Sequence, residues 1–120
     1  MITRFLALTT FAMLAIVSNA MAEESLDQTI AYLLDQVTQS HATFIRNNTE
    51  YSPNEAANHI KAKYEHFKRD IHSPEDFIRL AASKSLMTGQ PYFVRLPDGK
   101  KMQLDAWLTD LLAKHRADQR

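Results

Sequence analysis

From Leu26 onward the apolar residues return at helical intervals. Leu26, Ile30, Leu33, Leu34, Val37, Phe44 and Ile45 fall at spacings that predict one amphipathic helix of about twenty residues. Ser25 is placed to cap it, and Glu23, Glu24 and Asp27 suit the positive end of the helix dipole. Asn47-Asn48 is expected to end it, because asparagine accepts the left-handed conformation a helix C-terminus commonly needs. Ser52-Pro53-Asn54-Glu55 opens a second helix: serine caps, proline suits the first helical position, and Glu55 can reach back to the cap's amide. Its apolar side carries Ala56, Ile60, Tyr64, Phe67 and Ile71. Ser73-Pro74-Glu75-Asp76 repeats the device for a shorter third helix with Phe77, Ile78, Ala81 and Ala82 inside, open to extension as far as Ser85.

After Gly89-Gln90-Pro91 the period changes from that of a helix to that of a strand. Tyr92, Val94 and Leu96 alternate with Phe93 and Arg95, and Pro97-Asp98-Gly99-Lys100 supplies a turn before Lys101 to Leu104. That pattern predicts a β-hairpin, which must lie on helices because an isolated hairpin is barely stable. A last helix from about Asp105 gathers Leu104, Trp107, Leu108, Leu111 and Leu112, and Lys114, His115 and Arg116 suit its negative end. The predicted fold is α+β and mostly α: three helices, a β-hairpin and a C-terminal helix around one core.

Residues 1–22 stand apart from this pattern. Arg4 gives a positive start, Phe5 to Val17 is apolar apart from Thr9 and Thr10, and Ala20-Met21-Ala22 places small residues where a signal peptidase reads them. The run is shorter than the roughly 18 residues that span a bilayer, so a cleaved secretory signal is expected rather than an anchor, with cleavage after Ala20 or Ala22. Residues 23–120 then form a single domain, expected in the periplasm. Removing the leader takes away one basic residue, Arg4, and leaves 13 basic against 14 acidic side chains. Such balance gives no reason to expect nucleic acid. No interfacial basic helix points to a membrane after cleavage. The chain has no cysteine, which rules out disulfides, a lipoprotein anchor, a thiol nucleophile and thiolate metal sites.

The residues also carry a resemblance. Phe44-Ile45-Arg46-Asn47-Asn48, Tyr51, Ala56, Ala57, His59-Ile60 and Lys63 are similar to the first half of a small DUF5329-like family of Gram-negative secreted proteins. Phe77-Ile78, Ser83, Ser85, Thr88-Gly89, Pro91-Tyr92, Asp98-Gly99 and Trp107-Leu108 match the second half, so the resemblance runs from about Ser25 to Arg116. Asn48 departs from it, standing where the family pattern has glycine. The resemblance implies a secreted, periplasmic protein with no established activity, and it brings no catalytic or binding residues.

Three polar clusters are candidates for chemistry. On the second helix, His59, Lys63, His66 and Asp70 follow at spacings that put them on one stripe. His66 and Asp70 can share a divalent ion, or Asp70 can orient His66 as a base; the same spacing equally makes a polar flank with an ion pair. Ser83-Lys84-Ser85 with Thr88-Gly89 invites a serine hydrolase using His59 or His66 with Ser83 or Ser85. Against it, Ser83 and Lys84 are adjacent rather than a helical turn apart, and no nucleophile elbow is present. The third cluster, Arg46, Asn47, Asn48 and Tyr51, can bind a carboxylate or a sugar, or can serve the helix end and the next helix start. Tyr92, Phe93 and Trp107 read as core.

The leading expectation is therefore a non-enzymatic module without cofactor or resident metal, binding another protein or a cell-envelope component. Its surface is expected to combine Arg46, Asn47 and Tyr51 with His59 and Lys63.

Overall fold

Ser25 begins the first helix, α1 (Leu26–Gln39): its hydroxyl accepts from the Gln28 amide while the Gln28 side chain accepts from the Ser25 amide. The computed structural model describes residues 24–120, and the proposed leader over residues 1–22 lies outside the described residues. Ile30, Leu33 and Val37 of α1 are buried.

The helix stops well short of Asn47-Asn48, which corrects the expectation from periodicity. Ser40 caps it, and His41 turns the backbone left-handed at φ +54. The chain then runs extended as β1 (Thr43–Arg46) and returns as β2 (Thr49–Tyr51). Asn47 and Asn48, at φ +50 and +63, are the paired left-handed residues of a two-residue hairpin turn, with Arg46 opposite Thr49. Alternating burial of Ala42 and Phe44 with the more open Thr43 and Ile45 is the strand signature that the helical spacing obscured.

Helix α2 (Pro53–Phe67) starts at Ser52, whose hydroxyl accepts from the Glu55 amide. The expected return bond from the Glu55 side chain is not formed. A 3-10 turn over Lys68–Asp70 follows and leads to buried Ile71. Helix α3 (Pro74–Ala81) is capped by Ser73 and buries Phe77, Ile78 and Ala81; it ends before Ser85. The expected second hairpin is present as β3 (Phe93–Arg95) and β4 (Lys101–Gln103), and α4 (Leu104–Asp118) closes the fold.

The hairpins join through β1 and β3 into one antiparallel sheet of four strands, in the order β2-β1-β3-β4. Phe44 stands opposite both Tyr51 and Val94, and Val94 opposite Met102, so this row shares the face that packs on the helices. The opposite face carries Ile45, Glu50, Phe93, Arg95 and Lys101, including an Arg95–Glu50 ion pair at 2.6 Å. Phe77, Leu33, Leu108, Val37 and Val94 are the largest fully buried side chains, contributed by α3, α1, α4 and β3. The architecture is α+β and mostly α, as the patterning predicts, with a sheet twice the expected width.

Candidate functional site

Strand parity brings the site together. Arg46 lies two residues beyond Phe44 and therefore on the same, helix-facing side of the sheet. Tyr51 lies across from Phe44 on β2. Helix α2 passes over this end of the sheet and presents His59 and Lys63, one turn apart, flanking buried Ile60. Tyr92 completes the group at the start of β3, its position fixed by backbone bonds from its amide to the Ser83 carbonyl and from the Leu104 amide to its own carbonyl.

Around these polar groups runs a small pocket with an apolar floor of Phe44, Ala56, Ile60, Ala81 and Leu104. The Lys63 ammonium donates to the Lys84 carbonyl at 2.7 Å and to the Tyr92 hydroxyl at 3.2 Å, lying over the Tyr92 ring. The Arg46 guanidinium donates to the Tyr51 hydroxyl at 3.2 Å and lies 5.0 Å from that ring's centre. His59 meets the Tyr51 ring edge-on, with centroids 4.8 Å apart.

Burial is the first cause of the shift at three groups of the site, Lys63, His59 and Tyr92. Lys63 is pulled below its ordinary 10.5, first by burial and then by the charges of Arg46 and Lys84. His59 is lowered from 6.5, again by burial first and Arg46 second, with Glu55 opposing. Burial raises the Tyr92 phenol above 10.0, against the pull of Arg46. None of the four ion pairs among the described residues involves Arg46, Lys63 or Lys84.

Of the residues singled out from sequence, Arg46, Tyr51, His59 and Lys63 line one pocket. Asn47 does not join them. Its amide donates to Ser85 Oγ at 3.2 Å and accepts from Thr88 Oγ1 at 2.6 Å, pinning the turn to the loop after α3. Tyr92, which reads as core, is buried as expected but also contributes its hydroxyl to the site. Its place next to Pro91 at the mouth of a predicted strand is the one sequence hint that its ring edge could reach a surface.

The hydrolase arrangement is not assembled. Ser83 Oγ donates to the Ile78 carbonyl at the end of α3, and Ser85 Oγ accepts from Asn47 and from the Met87 amide. Neither serine bonds a histidine, and His66 is exposed with its ring against Phe67. Asp70 sits in the 3-10 turn and so leaves the α2 stripe that was expected to pair it with His66. Among the described residues no group of three or more His, Cys, Asp or Glu side chains is placed to hold a metal ion.

Comparison with known proteins adds kinship without an activity. A 50-residue stretch is 38% identical to the uncharacterized protein YfeK of Salmonella typhimurium (strain LT2), covering 42% of each chain, so the match spans less than half of that relative. No solved structure matches this chain. The model of a family of unknown function, DUF5329, matches residues 24–116. That span includes every strand, nearly all of the helices and the whole pocket, and the chain belongs to the DUF5329 family.

Proposed function

We propose that this protein is exported to the periplasm and works there as a non-enzymatic binding module for another protein or a cell-envelope component. The observation that carries this reading is the pocket itself. The Arg46 guanidinium and Lys63 ammonium, donating to the Tyr51 and Tyr92 hydroxyls, converge over an apolar floor, while among the described residues no serine meets a histidine. Donors over an apolar surface recognise and orient a ligand; a nucleophile without a base does not turn one over. The leader-like residues 1–22 support export, and the balanced charge of the remainder gives no pull toward nucleic acid.

Immobilised protein should retain a partner from periplasmic and envelope extracts, and the double variant Arg46→Ala/Tyr51→Ala should lose it. Both substitutions leave the buried floor in place, so circular dichroism should keep its helical signature. Equal retention by the double variant would reject this surface.

A further inference from the structure

Resting on that reading, we propose that the pocket takes a carboxylate carried on a short apolar stem, the chemistry with which a peptide ending in a small residue terminates. The argument starts from unused donors. Lys63 spends two of its three N–H groups on the Lys84 carbonyl and the Tyr92 hydroxyl, and Arg46, which bonds the Tyr51 hydroxyl and also bears on that of Tyr92, keeps most of its five. Each phenol, having accepted there, keeps its own proton to donate. The site thus presents N–H and O–H groups toward one small space, with no carboxylate among the described residues answering them. Glu55 is the acidic group whose charge is felt at His59, yet it lies exposed in the first turn of α2 and pairs with neither Arg46 nor Lys63.

Two half-buried cations held near each other without an anion are costly, and an incoming anion relieves their repulsion. The planar fork of Arg46 matches a carboxylate, which takes two parallel hydrogen bonds. The apolar floor asks for carbon behind the charge. Its free volume of about 30 Å³ holds a water or two, and so a small alkyl group rather than a long acyl chain.

Isobutyrate, its neutral counterpart isobutyramide, octanoate and inorganic phosphate are suitable probes, titrated into the ¹⁵N-labelled protein and followed by NMR. Isobutyrate should shift the resonances of Arg46, His59, Lys63 and Tyr92 saturably and bind at least about tenfold more tightly than isobutyramide. Arg46→Gln should weaken isobutyrate by about tenfold and isobutyramide by clearly less, because the amide loses a neutral hydrogen bond and the acid a charged pair. Lys63→Met keeps the buried stem and serves as a second variant should the first lose its dispersed spectrum. Equal binding of acid and amide would overturn the anion assignment while the pocket stood as a binding site. Tighter binding of octanoate or phosphate would overturn the short carboxylate. If no probe moved these resonances the inference would fall, and the binding-module reading would still be judged by partner capture.

Discussion

The His59 imidazole is squeezed between the Tyr51 ring and the reach of the Arg46 charge, and both burial and that charge favour its neutral form. Its folded pKa lies below the ordinary 6.5, so the native state binds a proton there less readily than the unfolded chain. The stability this group contributes is therefore complete above 6.5 and is lost as pH falls through the folded value. The His59 Cε1 proton should titrate in NMR with a midpoint below 6.5, and Arg46→Gln should move that midpoint upward. A midpoint unmoved by the substitution would leave burial as the whole cause and weaken the case for a shared cationic site. At this scale the sequence was informative for a simple reason: Arg46, Tyr51, His59 and Lys63 are polar groups next to apolar stripes, where a surface pocket has to be built. Tyr92 was less legible, because an aromatic at a strand start looks the same whether its hydroxyl is used or not. Asn47 was legible as special but not as the residue that pins the turn, since a side chain that pins a turn and one that awaits a ligand have the same composition.

The turn at Asn47-Asn48 decides whether residues 43–51 are helix or hairpin. Either asparagine can take the left-handed conformation that ends a helix; both do, at φ +50 and +63, and two in succession make a hairpin turn rather than a helix end. Phe44 and Ile45 happened to continue the helical spacing of α1, so local periodicity favoured the wrong element. What separates the two is the partner strand: β1 pairs on one side with β2 and on the other with β3, far along the chain. Where the local signal was chemically specific, at the proline-bearing starts of α2 and α3 and the Pro97–Lys100 turn, the elements formed as expected. Among the described residues the Asn48 side chain makes no hydrogen bond, unlike that of Asn47, so Asn48 tests the backbone alone. Asn48→Gly should stay within about 1 kcal/mol of the parent in urea unfolding, whereas Asn48→Val should lose about 1–3 kcal/mol through left-handed strain. Equal stability of the two variants would mean the turn does not hold the geometry described.

Packing across the whole molecule was beyond the sequence, because a stripe of apolar residues says that a helix is covered and not by what. The contact that ties the two ends of the described chain shows how much that leaves out. Glu24, just ahead of α1, accepts from His115 Nε2 at 2.9 Å, from Thr29 Oγ1 at 2.8 Å and from the Gln119 amide, while Tyr32 stacks on the His115 ring at 3.7 Å. From sequence, Glu24 and His115 each answered only the dipole of its own helix; in the fold they answer each other. The His115 bond, then the Thr29 bond, holds the Glu24 carboxyl below its ordinary 4.5. A carboxyl lowered in the folded state stabilises the fold above its unfolded value of 4.5, and that contribution disappears as pH falls through the folded value. Glu75 and Asp76 are lowered too, by Arg116 and by the His72 amide, so several such contributions fade together in acid. Glu24→Gln should therefore lower the Tm at about pH 6 and by less at about pH 3, because the contribution of the charge shrinks as pH falls below 4.5 toward the folded value. Melting curves of parent and variant across that range measure the difference directly. A gap that persisted undiminished into acid would mean that the Glu24 charge is not what fastens α1 to α4. The link would then rest on the Tyr32–His115 stack and the neighbouring hydrogen bonds, which Tyr32→Leu would expose by lowering the Tm at both pH values.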